Sequence, residues 1–319
     1  MSTTGGDLPF VCIIGAPRSG TTWLQAMIGA HPQVSTTQEL KLFDLFTGPW
    51  EHSWRQLIEL QRTAGGGPRG LRVVWSDDEF HGFLAGLVRD VHARVLAAKP
   101  GATVVLDKSP GYSQYVTHIR SLVPQVKFIH VLRDGRDVAV SLRVASTGWA
   151  RAWAPSSIAS AASLWRSMVK AAREAEAPQP SRYLEIRYEE MQDHGATSLM
   201  KAFSFIGLPA TLDEAAAICQ GHTIDRMQEG AGPFDLPREF FRQGRVGAWR
   251  AEMTPMERYL FDDAAGDLLR ELAYAQSGWW IERSHQRWLV PALAAVCIRR
   301  WAPALARRLA PAFAVPRDE

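Results

Sequence analysis

The chain has 319 residues, 46% of them hydrophobic and 22% charged, and its formal net charge at pH 7 is +3. This length supports one sizeable core with a helical cap, and so small a charge does not indicate nucleic-acid binding. The three cysteines, Cys12, Cys219 and Cys297, have no C-x-x-C spacing, so a reducing compartment fits better than a disulfide framework. The first ten residues lack the features of an export signal, and no apolar run reaches the roughly 18 residues of a membrane span. We therefore expect a cytoplasmic protein.

The first recognisable unit is a strand, a loop and a helix. Residues 9–15, PFVCIIG, form a continuous apolar run, typical of a strand buried on both faces of a parallel sheet. A Gly-rich loop follows, and residues 21–30 then carry large apolar side chains at helical spacing until Pro32. A helix entered from such a loop can present free backbone N–H groups to an anion. The unit predicts an anion-binding site, with a Gly-rich turn that holds no ligand as the alternative.

Three further strands are predicted downstream, at residues 103–108, 127–133 and 182–188, with helix-like segments between them. Strands that alternate with helices predict an α/β fold, a parallel sheet with helices on both faces. The regions at about 47–101 and 143–180 are too long for plain crossovers, so we expect them to be helical insertions that form a cap over the binding pocket of an acceptor molecule.

The loop GAPRSGTT has the glycine spacing of a nucleotide-binding Walker loop, but Thr21 stands at the lysine position and Arg18 supplies the cation. An NTPase also needs an acid on a second strand for Mg²⁺, and TVVLDK offers only Asp107 beside Lys108. A P-loop kinase-like phosphotransferase and a nucleotide-binding module without turnover both stay open as alternatives.

Two segments resemble sulfotransferases that use PAPS (3′-phosphoadenosine 5′-phosphosulfate). PRSGTTWLQAMIGAHP is similar to their 5′-phosphosulfate loop, and FIHVLRDGRDVAVSL to their 3′-phosphate motif, a strand ending in Arg before a helix that carries a Ser. The resemblance implies a P-loop-like fold, with PAPS as co-substrate and no metal ion. It implies nucleotide binding by Pro17, Arg18, Ser19, Gly20, Thr21, Thr22 and Trp23 at the 5′ end and by Arg133 and Ser141 at the 3′ end.

Weaker matches to the family continue along the chain. RYEEM is similar to the family's RYEDL, in which Tyr188 would border the adenine, and a core tyrosine is the other interpretation. FRQGRVGAWR is similar to a late RKG loop and implies that Arg242, Gln243 and Gly244 lie near the 3′-phosphate. Gln243 stands where the family commonly has a lysine, which removes one cation.

Sulfuryl transfer to a hydroxyl needs in-line positioning, cations where charge builds up, and a base for the acceptor proton. Cytosolic members of the family take that base from a KTH segment, but this chain has KSP, with Pro110 at the histidine position. Tyrosylprotein and similar glycan sulfotransferases use a Glu after the first helix, and Glu39 has a similar offset from Arg18. The resemblance therefore implies Glu39 as general base, with Arg18 and Lys108 as stabilising cations.

We expect Glu39 to have a raised pKa at the mouth of an apolar pocket. An ion pair of Glu39 with Lys41 or Arg18 is the alternative, and His52 and His81 are the fallback bases. The nine histidines show no spacing typical of a metal site.

The sulfotransferase domain is predicted to cover residues 1–281, and residues 282–319 form a basic extension. Between Arg283 and Arg317 this extension carries seven arginines and no carboxylate. Peripheral contact with an anionic membrane and an ordinary packed helix are both open. The acceptor class stays equally open among small-molecule, lipid, glycan and peptide hydroxyls.

Overall fold

The computed structural model describes residues 8–230, 234–242 and 244–281. They divide into two compact units, one that ends at Trp249 and one that begins at Arg250. Gln243 and the basic extension lie outside the described residues, and the domain boundary at residue 281 stays a prediction. Within the described part, no helix is long and apolar enough to cross a membrane.

A five-stranded parallel sheet forms the centre of the first unit. Its strands, in the spatial order β2-β3-β1-β4-β5, are β1 (Phe10–Ile14), β2 (Val34–Thr36), β3 (Val104–Lys108), β4 (Lys127–Leu132) and β5 (Tyr183–Arg187). The predicted α/β fold is confirmed, and four strands lie where the apolar runs predict them. The sequence missed β2 because three residues are too few to give a periodic signal.

Helices cover both faces of this sheet. They are α1 (Thr21–Gly29), α2 (Gly48–Ala64), α3 (Asp77–Ala97), α4 (Val116–Leu122), α5 (Gly135–Ala145), α6 (Ile158–Arg173), α7 (Tyr188–Asp193), α8 (Gly195–Ile206), α9 (Leu212–Gly221) and α10 (Ile224–Gln228). Side chains of β1 alternate between two apolar clusters. Val11 and Ile13 join one with Leu24 of α1, while Phe10 and Cys12 join the other.

Shorter turns complete the first unit: a π-helical turn at Leu42–Thr47 and 3₁₀ turns at Gly70–Val73, Pro110–Tyr115, Pro180–Arg182 and Arg238–Phe240. The insertion at about 47–101 contains α2 and α3, and the one at 143–180 contains α6. The short helix α11 (Trp249–Glu252) begins where the first unit ends. In the second unit, α12 (Pro255–Glu271) begins with a capping box of Thr254 and Glu257.

The carboxyl ends of all five strands lie at one edge of the sheet because the strands are parallel. The chain runs from β1 outward to β2 and β3, and then returns to the opposite side of β1 for β4 and β5. Ligands of open α/β sheets bind outside the carboxyl ends at such a reversal. The loops after β1, β3 and β4 are therefore the place to look for a site.

Candidate active site

The loop after β1 is shaped for close contact with a ligand. Arg18 and Gly20 both have positive φ angles, 71° and 96°, and the N–H of Gly15 donates to Ser113 Oγ at 2.9 Å. A Cβ atom on Gly20 would lie 2.5 Å from the ring of Tyr188, so this position requires glycine. No side chain caps the N-terminus of α1, and the buried Ser19 Oγ has no hydrogen-bond partner. These polar groups are the kind that an anion would satisfy.

Arg133 follows β4 directly and is buried beside this loop. Its two terminal nitrogens donate to the backbone oxygens of Arg18 at 3.0 Å and Arg245 at 3.1 Å. The guanidinium lies 4.0 Å from the ring centroid of Tyr188, and its buried Nε has no partner. Ser141, on α5, accepts a hydrogen bond from Arg18 Nε at 3.1 Å. Two cations and a hydroxyl thus converge between the ends of β1 and β4.

The first cavity brings together most of the residues predicted to bind the nucleotide. Pro17 and Ser19 do not line this cavity; Ser19 is 1% exposed. Residues that line it without having been predicted include Asp137, Ile224, Phe240, Phe241 and Arg245. The predicted residues that line it are Arg18, Gly20, Thr21, Thr22, Trp23, Arg133, Ser141, Tyr188, Arg242 and Gly244.

Asp137 and Tyr188 hold the late loop against this cavity. The Asp137 carboxylate accepts hydrogen bonds from the N–H groups of Gly247 at 2.7 Å and Trp249 at 3.0 Å. The Tyr188 hydroxyl donates to the backbone oxygen of Gly244 at 2.9 Å. Sequence reasoning missed Asp137 because its partners are backbone groups more than 100 residues away. Tyr188 is 2% exposed and also lines the first cavity, so it is both a core tyrosine and a residue of the site.

A second cavity, of about 530 Å³, adjoins the first and shares Arg18, Thr21, Thr22 and Phe240 with it. It contains the three residues predicted to be catalytic, Arg18, Glu39 and Lys108, and Pro17 also lines it. Trp149, Trp153 and Phe240 form an aromatic wall. The cavity therefore places apolar surface next to a cluster of charges.

Glu39 forms two ion pairs. Its Oε1 accepts a short hydrogen bond from Lys108 Nζ, and its Oε2 lies 2.6 Å from Lys41 Nζ. Burial alone would raise the pKa of Glu39, but the two ammonium groups outweigh it and hold the pKa below its ordinary value. The expectation of a raised pKa is wrong because the carboxylate faces cations as well as apolar walls. Burial lowers the pKa of Lys108, which is 2% exposed.

The unpredicted strand β2 explains why Glu39 meets Lys108. Thr36 of β2 pairs with Leu106 of β3, so the chain just after β2 lies beside the end of β3. Asp107 fixes that segment, because its Oδ1 accepts from the N–H of Leu40 at 3.3 Å. It also accepts from the Lys108 N–H at 2.8 Å and from the hydroxyl of Tyr112 at 2.7 Å. Asp107, the acid considered for Mg²⁺, is fully buried and occupied by these donors.

The two fallback bases lie elsewhere. His52 contacts Gln56 on α2, and His81 of α3 contacts the backbone oxygen of Ser121. Neither lines the first or the second cavity. Among the residues that the structure describes, no group of His, Cys, Asp and Glu is arranged to hold a metal ion.

The family described as "Sulfotransferase family" matches residues 9–213, which include the loops after β1 and β4 and Glu39. The chain belongs to the sulfotransferase family. The chain is 29% identical over 133 residues to protein-tyrosine sulfotransferase 1 of Danio rerio, covering 41% of this chain and 34% of that protein. The human protein-tyrosine sulfotransferase 1 gives the same identity over 133 residues, with 32% of its length covered. The chain thus matches about a third of the length of these curated relatives.

Longer matches come from a bacterial relative and from solved structures. Nodulation protein NoeE of Sinorhizobium fredii is 26% identical over 305 residues, covering 87% of this chain and 69% of that protein. The sulfotransferase domain from the curacin biosynthetic pathway superposes with a TM-score of 0.54 at 19% identity, over 85% of this chain and 99% of that one. Mouse sulfotransferase SULT7A1 complexed with PAP gives 0.53 at 18% identity, over 84% and 89%. These structures share the fold of this chain.

Proposed function

We propose that this protein transfers the sulfuryl group of PAPS to a hydroxyl acceptor, in line, with Glu39 as general base. One observation carries the proposal: the first cavity, between the ends of β1 and β4, adjoins the second cavity, which contains Glu39 and Lys108. Arg18, Thr21 and Thr22 line both cavities. A nucleotide bound in the first cavity and an acceptor bound in the second are therefore held next to each other, in position to react. Family membership and the PAP bound to mouse SULT7A1 support the choice of nucleotide.

In this proposal the nucleotide is bound at two places. The open N–H groups of α1, with Ser19, Thr21 and Thr22, bind the 5′ end. Arg133 and Ser141 bind the 3′-phosphate, because a guanidinium at a strand end binds phosphate through two N–H groups and a nearby hydroxyl adds a third hydrogen bond. Arg242 and Gly244 of the late loop border the same end.

The transfer step breaks one bond and forms one. The acceptor oxygen attacks sulfur, the bond from sulfur to the bridging oxygen of the 5′-phosphate breaks, and PAP leaves with that oxygen. The acceptor proton moves to Glu39. Arg18 and Lys108 stabilise the charge that builds on the bridging oxygen and the sulfuryl group, each through charge-assisted hydrogen bonds of about 1.5–3 kcal/mol.

The ion pair between Glu39 and Lys108 suits this division of roles. A lowered pKa keeps Glu39 ionised, which is the form that accepts a proton. When Lys108 turns to the incoming sulfuryl group, Glu39 loses its closest cation, and its pKa rises as the reaction needs it to. Lys41 remains 2.6 Å from the carboxylate and keeps it in place.

The acceptor enters through the second cavity. Its aromatic wall suits an apolar or ring-bearing molecule, so small alcohols, phenols, lipids, glycans and peptidyl hydroxyls belong to the same proposal. A P-loop kinase is the competing function, but a kinase needs a carboxylate that can coordinate Mg²⁺. Asp107 is fully buried, and its carboxylate already accepts three hydrogen bonds.

Calorimetric titration with PAP, ADP and ATP tests the proposal. PAP is expected to bind more tightly than ADP, because ADP lacks the 3′-phosphate that Arg133 and Ser141 bind. Preference for ATP with Mg²⁺ would instead establish the kinase. A screen of acceptor classes with labelled PAPS, read by mass shift, then separates an enzyme from a nucleotide-binding module, since the module binds PAP and yields no sulfated product.

A further inference from the structure

Two aromatic rings outside every family motif flank Arg18. Its guanidinium carbon lies 4.9 Å from the ring centroid of Phe240 and 5.5 Å from that of Trp149. The two rings are themselves in contact, with centroids 5.0 Å apart. Arg18 also donates to the backbone oxygen of Phe240. Because a cation over an aromatic face is attracted to it, these rings set the direction of the guanidinium.

The backbone of Arg18 makes this support necessary. A residue other than glycine at φ 71° is in a strained conformation, which persists when the surrounding structure holds it. Burial and the neighbouring Arg133 both destabilise the cation, and so lower the pKa of Arg18 to about 10. Contact with the faces of Trp149 and Phe240 offsets part of that cost.

The two rings do not line the same cavities. Phe240 lines both cavities, whereas Trp149 lines the second one, where the acceptor is proposed to bind. Arg18 itself lines both. Trp149 therefore faces the acceptor space and also contacts a residue of the nucleotide space.

We propose that Trp149 and Phe240 are positioning residues for Arg18, so that nucleotide affinity depends on a tryptophan of the acceptor cavity. The inference rests on the proposed function, because it assigns Arg18 to PAPS. Thermodynamic linkage then requires that an acceptor packed on Trp149 and the nucleotide change each other's affinity by the same factor.

Titration of the full chain with PAP tests the contact without any acceptor. Trp149→Leu is expected to weaken PAP binding about 5- to 30-fold, the range that a desolvated cation–π contact covers. Trp149→Phe is expected to stay within about 3-fold of wild type, because a phenyl ring still offers a face to the guanidinium. Phe240→Leu removes the other ring beside Arg18 and is expected to weaken PAP binding in the same way. It replaces Trp149→Leu if that variant fails to fold.

Trp50→Leu is the control. Trp50 stacks on Phe83 and lines neither the first nor the second cavity. It is 42% exposed, so its removal is mild for the fold. We expect unchanged PAP affinity for this variant.

A double-mutant cycle separates positioning from a general effect on folding. In an Arg18→Met background, Trp149→Leu is expected to change PAP affinity less than about 2-fold, because the partner of the ring is gone. The same loss with and without Arg18, or wild-type affinity in both Trp149→Leu and Phe240→Leu, would overturn the inference. Failure of the wild-type protein to bind PAP would instead overturn the proposed function.

Discussion

Replacement of Arg133 by alanine gives the most direct test of the nucleotide site. A guanidinium has five N–H donors. Two of them bond the backbone oxygens of Arg18 and Arg245, and the buried Nε has no partner. The side chain therefore keeps donors for a ligand while its position is fixed by two backbone contacts and by the ring of Tyr188.

The size of the effect follows from the hydrogen bonds that are lost. Two charge-assisted hydrogen bonds to a phosphate contribute about 1.5–3 kcal/mol each and are not fully additive. We take about 3 kcal/mol for the pair, which corresponds to a loss of affinity of about 150-fold. Arg133→Ala should therefore bind PAP about 150-fold more weakly, while binding of ADP, which has no 3′-phosphate, should change much less.

Arg136→Ala is the control, because it removes another buried arginine only three residues away. Arg136 bonds Asp134 at 2.7 Å and lies 3.9 Å from the ring centroid of Trp249, and it does not line the first cavity. Its removal should lower the melting temperature and leave PAP affinity of the folded protein unchanged. The assay is calorimetry on both variants, with circular dichroism to establish folding. Folded Arg133→Ala with wild-type PAP affinity would refute the reasoning.

Three further predictions concern ionisable groups. Glu39→Gln should retain PAP binding and lose at least about 100-fold in transfer rate, since a general base contributes about 10²–10⁴-fold; unchanged turnover of labelled PAPS would assign the base elsewhere. Lys108 must be protonated to act, and burial lowers its pKa, so kcat/KM should fall on the alkaline side below pH 10.5, and Lys108→Arg should shift that limb upward. Burial lowers the pKa of His92 to about 4, so the contribution of His92 to folding stability is fully present above pH 6.5, and up to about 3 kcal/mol of it is lost as the pH falls towards 4. Urea unfolding at pH 7 and pH 5 checks this, and His92→Leu should show a smaller difference between the two pH values.

The strand ends proposed to bind the nucleotide were accessible from sequence because they carry strong local signals. The apolar run of β1, the glycines after it and the arginine after β4 each occupy a few adjacent residues. They place Gly20 and Arg133 at the same edge of a parallel sheet by topology alone. The structure then brings ten of the thirteen residues assigned to nucleotide binding into one cavity.

Only part of the electrostatics of Glu39 was accessible in the same way. The ion pair with Lys41, two residues away, was one of the alternatives, and the structure contains it. The pair with Lys108 depends on β2, a three-residue strand whose pairing with β3 brings two segments about 70 residues apart into contact. Without that pairing, the apolar neighbours of Glu39 suggest a raised pKa. With it, Lys108 becomes the nearest charge and reverses the direction. The contact of Arg18 with two aromatic rings could not be predicted either, because Trp149 and Phe240 are far apart in the chain and belong to no shared sequence pattern.

The ring of Tyr188 contacts both ends of the proposed nucleotide site: it lies against Gly20 and Arg133, and its hydroxyl donates to the backbone oxygen of Gly244. One buried ring thus contacts the loop after β1, the arginine after β4 and the late loop, and so fixes the distances between them. We therefore expect analogues with one methylene inserted between ribose and the 5′ group to bind more weakly than PAP.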